Sequence, residues 1–306
     1  MTDPVETLRR AVTGGGTMGE LILGATSRFP DRAAFVYGGT ALSYRELGEL
    51  IVQGRRALAG LGLAPDAVVA QLTSNRPEAF ALQAAAYLAG HPSLMLHPST
   101  SLSDLVTVLH DARAQLLVVD AHGAIAEAAD AIRSGVPGIR VVAHEAGSPL
   151  LDVWSLAATQ EGSCRRVPAD AVARLSYTGG TTGRSKGVVL SHRAMVAATV
   201  LAAAELDWPA ELRFLVATPI SHAGGTLVPS VLLKGGTVHL GERFDATTFL
   251  DEIREQRITA TFVVPTMIGR LLDGLAGRSA DVPTLQMLLY GGAPMSVDRI
   301  RAAIES

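Results

Sequence analysis

Between Ala33 and Tyr290, short apolar runs alternate with stretches of helical spacing. "AAFVYGGTALSY" reads as two strands around a Gly-Gly turn. Arg45–Leu61 then carries apolar residues at helical intervals. "AVVAQLT", "PSLMLHP", "QLLVVD" and "IRVVAH" read as strands. The helices between them are "SNRPEAFALQAAAYLAG", with Ser74 or Asn75 as cap and Gly90 as stop, then "SLSDLVTVLHDA" and "AIAEAADAIRS". The alternation resumes with strands "ARLSYT", "KGVVLSH", "RFLVATPI", "GTVHLGE", "TATFVVP" and "LQMLLYGG", separated by helical segments, and a last helix starts near Ser296. Strands separated by helices of this length predict an α/β fold with mostly parallel sheets. The polar, irregular stretch Glu145–Asp170 is the expected boundary between two stacked α/β subdomains, 1–170 and 171–306.

Composition excludes several classes. Net charge is −3 with no basic block, which gives nucleic-acid binding no support. The hydrophobic fraction is 48%, much of it alanine. The most apolar stretch, Ala194–Leu206, falls short of the roughly 18–20 residues that a spanning helix needs. The N-terminus has no apolar h-region. The single cysteine, Cys164, allows no internal disulfide, and a reducing, cytoplasmic setting is expected. Of 26 basic residues only Lys186 and Lys234 are lysine. Lys234 reads as a surface residue beside a turn.

Lys186 stands in "YTGGTTGRSKGVVLSH". Gly179, Gly180, Gly183 and Gly187 permit backbone conformations that other residues avoid and allow a ligand close to the main chain. Successive N–H groups in such a loop form an anion-binding nest, and Thr178, Thr181, Thr182 and Ser185 add hydroxyl donors. With Lys186 the loop suits a polyphosphate. It has neither the Walker spacing nor the G-x-G-x-x-G fingerprint. "YGGTALS" and "KGGTVHL" are Gly-Gly-Thr turns without this continuation and need no function.

The loop resembles the phosphate-binding signature of the adenylate-forming superfamily, Tyr-Thr-Ser-Gly-Thr-Thr-Gly-x-Pro-Lys-Gly-Val. That superfamily includes acyl-CoA and aryl-CoA ligases, peptide-synthetase adenylation domains and beetle luciferases. Gly179 replaces the usual serine and Ser185 the usual proline. Three further segments are similar to the family in the same order: "ALSYRELGELIVQGRRALAGLGL", "ATPISHAGG" and "LLYGGAPMS". The last two look most like acyl- or aryl-CoA ligases.

The resemblance implies activation of a carboxylic acid with ATP and Mg²⁺ to an acyl-AMP, and transfer of the acyl group to coenzyme A. A phosphopantetheinyl carrier as acceptor, or a non-catalytic short form that binds acyl-AMP or CoA, are the alternatives. By the same resemblance Thr178, Gly179, Gly180, Thr181, Thr182 and Gly183 would wrap the phosphates, Lys186 would close over them, and Thr182 would contact Mg²⁺. His222 would border the acid and the α-phosphate, with Gly224, Gly225 and Val264 lining the acid site. Gly292, Ala293 and Pro294 would flank the adenine. His97, His110, His122, His144 and His239 are expected to be structural, and His192 a helix-start residue. The family's later Mg²⁺-binding glutamate, ribose-binding aspartate, hinge and C-terminal catalytic lysine would follow residue 306. The chain is therefore expected to correspond to most of the large N-terminal domain and to give little complete adenylation alone. No transmembrane segment is expected, and a homodimer is left open.

Overall fold

The computed structural model describes residues 15–122, 124–145, 150–158, 166–178 and 186–306. The N-terminal part runs α1 (Met18–Arg28), β1 (Ala33–Tyr37), β2 (Thr40–Ser43), α2 (Tyr44–Gly60), β3 (Val68–Leu72), α3 (Pro77–Ala89), β4 (Ser93–Met95), α4 (Leu102–Asp111), β5 (Ala114–Val119), α5 (Ala124–Glu127), α6 (Ala129–Gly135) and β6 (Arg140–Ala143). A 3₁₀ turn at Val153–Ala158 precedes the hairpin β7 (Val172–Thr178) and β8 (Lys186–Ser191). Then come α7 (His192–Glu205), β9 (Arg213–Val216), α8 (Ala223–Thr226), α9 (Val228–Leu233), β10 (Thr237–Leu240), α10 (Phe249–Glu255), β11 (Ala260–Val263), α11 (Pro265–Leu275), β12 (Met287–Tyr290) and α12 (Val297–Glu305). Among the described residues no helix is long and apolar enough to cross a membrane.

The strands form two six-stranded sheets, ordered β12-β11-β9-β10-β1-β2 and β6-β5-β3-β4-β7-β8. All pairings are parallel except the two hairpins, β1–β2 and β7–β8, each at a sheet edge. The sheets do not divide at residue 170. The early hairpin 33–43 joins the sheet built from residues 213–290, and the hairpin 172–191 completes the sheet built from 68–143. Each half of the chain thus lends its edge hairpin to the other, an exchange between distant segments that local periodicity does not encode.

Local chemistry accounts for the elements. Thr17 and Ser43 close capping boxes with Glu20 and Glu46, each satisfying two of the helix's free N–H groups. Gly38 and Gly39 both adopt positive φ, as the two-residue β1–β2 turn requires. One expected cap differs. The N-cap of α3 is Arg76, with no side-chain cap, and Gly90 ends the helix in the left-handed region. Asn75 is committed elsewhere, as described below.

The largest apolar cluster lies between the sheets. It unites α1, α2 and α3 with inward residues of β1, β9, β10 and β11, among them Phe35, Phe214 and Val238. Alanines 79, 81, 84, 85 and 86 are buried on several sides of α3. A helix enclosed by two sheets must be apolar nearly all round, and alanine keeps the layers close. Separate clusters cover the outer faces, under α4 to α6 on one sheet and under α10 and α11 on the other.

Candidate active site

In an open parallel sheet, ligands bind beyond the carboxyl ends of the strands, where successive connections leave in opposite directions. Here β9 lies between β10 and β11, so the ends of β9 and β11 flank such a point; β3, between β4 and β5, does the same in the other sheet. The two crevices meet. Asn75, just past β3, is buried and donates to the carbonyls of Thr218 (3.0 Å) and Gly241 (2.8 Å). Its carbonyl accepts from the Ile220 amide at 2.7 Å. One amide side chain thereby fixes the turn that presents His222.

His222 is the N-cap residue of α8. Its Nδ1 lies 2.8 Å from the Ser221 hydroxyl. The ring of His97, from the segment after β4, packs edge-on against it, with centroids 4.6 Å apart. Desolvation first, then His97 and Arg174, push the His222 pKa down to about 4. The imidazole is therefore neutral near pH 7. It can hold a carboxylate or phosphate oxygen by a hydrogen bond, but not by charge.

Gly224 and Gly225 have an internal explanation. A Cβ on Gly225 would stand 1.7 Å from the Ile220 carbonyl oxygen, and one on Gly224 would stand 2.5 Å from Thr218 Oγ1. These close approaches require glycine at both positions for packing, and Gly225 also lines a cavity considered below. Val264 is half-buried at the N-cap of α11. Gly292 follows β12 with φ +88°, a conformation suited to glycine, and a Cβ there would lie 3.7 Å from Val264 Cγ1. Ala293 and Pro294 are exposed. The ring of Phe262, on β11, lies near the Cβ positions of both Gly224 and Gly291, which links the His222 turn to the Gly292 turn.

The β7–β8 hairpin brings Thr178 opposite Lys186. Lys186 is exposed. Gly179, Gly180, Thr181, Thr182, Gly183 and Ser185 lie outside the described residues, as does Cys164, and Thr178 enters through its backbone alone. At Gly187 a Cβ would press on the Tyr177 ring at 3.1 Å. The Tyr177 hydroxyl donates to Asp111 at 2.5 Å, and burial with that contact raises its pKa.

His192 opens α7, is fully buried and accepts from the Met18 amide at 3.3 Å, as befits a structural residue. His144 and His239 are also buried, on Gln71 and Gln256 respectively. His97, expected to be structural, packs its ring against His222. The sequence reading passed over Asn75's bridge and Arg174. An arginine inside the apolar strand "ARLSYT" was the available signal for the latter; "LHP" offered none for His97.

The AMP-binding enzyme family model matches residues 24–305. The chain is 33% identical over 94% of its length to the medium/long-chain-fatty-acid–CoA ligase FadD8 of Mycobacterium tuberculosis, covering 52% of that protein. It is 35% identical over 88% of its length to a feruloyl-CoA synthase of Amycolatopsis sp., covering 53% of it. The chain thus spans about half the length of these curated relatives. Amide bond synthetase McbA from Marinactinospora thermotolerans superposes with a TM-score of 0.82 at 27% identity, over 94% of this chain and 57% of that one. A family match along nearly the whole chain, with relatives of 33% and 35% identity, leads to one conclusion: the chain belongs to the AMP-binding enzyme family.

Proposed function

We propose that the chain carries the acid- and adenylate-binding part of an acid–thiol ligase. In the reaction, a carboxylate oxygen attacks the α-phosphorus of ATP and the bond to pyrophosphate breaks. A thiol sulfur then attacks the acyl carbon of the acyl-AMP, gives up its proton, and AMP leaves. A carboxylate is a poor electrophile, and the mixed anhydride supplies the leaving group that it lacks.

The observation that carries this reading is the crevice itself. His222, Val264 and the Gly292 turn stand at the ends of adjacent parallel strands around Phe262. Neutral His222 orients an oxygen of the acid or α-phosphate by hydrogen bonding. Val264 walls the acid, and Gly292, Ala293 and Pro294 flank the adenine. Lys186 and the Thr178–Gly183 loop take the phosphates. In this reading Mg²⁺ arrives with ATP and meets Thr182. Such a metal would offset charge on the phosphates.

The relatives' CoA-ligase names support coenzyme A as acceptor, and a fatty or aromatic acid as substrate. These substrates suit a cytoplasmic setting. For this chain alone, tight binding of the adenylate and little complete turnover are expected. The test pairs acyl-AMP formation from ATP–Mg²⁺ and an acid with calorimetric binding of an acyl sulfamoyl adenosine. Binding without robust turnover is the expected result. Robust turnover contradicts the limit on this chain; absence of both overturns the reading.

A further inference from the structure

Beside the α8–α9 segment that follows His222 lies a cavity of about 360 Å³. Its walls come from α1, α3, α7 and the α8–α9 segment, with Met18, Ile22, Met195 and Leu227 among the apolar contributors. This volume falls in the range of small-molecule sites. A single arginine, Arg174 on β7, enters it.

Arg174 is 6% exposed. Its Nη2 donates to the Ser221 carbonyl at 2.6 Å, while its buried Nε–H has no acceptor among the described residues. No ion pair with a described carboxylate is formed. The neighbouring polar groups are neutral: the Gln83 amide and the Tyr87 phenol also line the cavity, and burial raises the Tyr87 pKa to about 12. The register of β7 against β8 shifts between Val172 and Arg174. Such irregularities re-aim side chains, often beside sites. A buried guanidinium without an anion is costly, and its remaining donors suit a carboxylate.

Arg174 lies four residues before Thr178, roughly 13 Å along an extended strand. An anion held in the cavity is thus well away from the phosphate loop. Its hydrogen bond to the residue before His222 nonetheless joins the cavity to the proposed acid site.

We propose that the cavity receives the far end of the acid substrate, and that Arg174 selects acids bearing a second carboxylate there. This rests on the acid-activating reading above and names its substrate class: an apolar spacer with an anionic acceptor at the end that is not activated.

The experiment compares octanoate with suberate, its ω-carboxy counterpart, and the acyl sulfamoyl adenosines of each, by calorimetry on the wild-type chain, Arg174→Met and Arg174→Lys. Wild type is expected to favour each ω-carboxy ligand by about tenfold to a hundredfold, the scale of a charge-assisted hydrogen bond. Arg174→Met abolishes that preference, so that suberate binds no better than octanoate, and Arg174→Lys retains part of it. Thermal unfolding confirms that both variants are folded at the temperature of the titrations. Equal binding of the two acids, or a preference insensitive to Arg174→Met, overturns the proposal. If suberate binds in an Arg174-dependent way but neither adenosine analogue binds, the anion site stands and the acid-activating reading falls.

Discussion

His97 and His222 meet edge to face, with ring centroids 4.6 Å apart and planes at 88°. One follows a strand of the first sheet and the other a strand of the second, so this contact marks where the two crevices join. Replacing His97 opens His222 to water and removes a neighbour that lowers its pKa; both effects favour the imidazolium. In His97→Ala the His222 pKa should therefore rise from about 4 toward the ordinary histidine value. Titration of the imidazole signals by NMR checks this. An unchanged midpoint would show that His97 contributes nothing to the site's electrostatics.

Two glycines should respond oppositely to alanine. In Gly225→Ala the new methyl meets the Ile220 backbone, which no rotamer change can relieve, and a loss of about 3 kcal/mol or more is expected. Gly269, inside α11, has nothing within 4 Å of its Cβ position. Gly269→Ala should stabilise by about 0.5–1 kcal/mol, through helix propensity and a less flexible unfolded chain. Urea unfolding of the two variants checks both signs. A Gly225→Ala protein as stable as wild type would show that the turn before α8 is not packed as described.

Buried histidines set an acid limit on stability. Desolvation, with Arg76 nearby, lowers the pKa of His144 to about 3; desolvation also lowers those of His192 and His239 to about 4. Unfolded, each titrates near 6.5. Above that value both states are neutral and nothing changes. Below it the unfolded chain takes up protons that the folded chain refuses. Stability therefore falls with decreasing pH, by up to about 1.4 kcal/mol per pH unit for each histidine, until the folded groups protonate. Denaturation series at pH 7.5, 6.5 and 5.5 should show the decline, and His144→Gln should reduce its slope by about one proton. An unaltered slope would mean that His144 is solvated in the folded protein.

The sequence disclosed most of the elements because their signals are local. The paired glycines at 38 and 39 and Gly90's left-handed stop each act within a few residues, whereas helix α1 with its Thr17 capping box was not read from the sequence. The exchange of hairpins between the sheets was not legible, since parallel pairings such as Phe35 with Val238 join distant segments. The site divides in the same way. His222 and Gly292 were named from short family-like segments, and Val264 from an apolar one. His97 became relevant only through its contact with His222. Asn75 read as a helix cap, but its amide serves a turn far along the chain. Gly187, Gly224 and Gly225 suggested ligand approach; that a Cβ at each would also press on a group of the protein itself became visible only in the fold.

Lys186 tests the central claim most directly. Its strand is held by pairing to β7 while its side chain is exposed, so truncation should spare the fold. Calorimetric titration of the chain with ATP–Mg²⁺, in wild type and Lys186→Ala, is the decisive comparison, with thermal unfolding as the control. The expected result is saturable binding by wild type, weakened about tenfold or more in Lys186→Ala at unchanged stability, as loss of one phosphate-facing cation implies. Equal binding by the two proteins, or a fall in stability with binding intact, would contradict a phosphate-gripping loop at Thr178–Lys186.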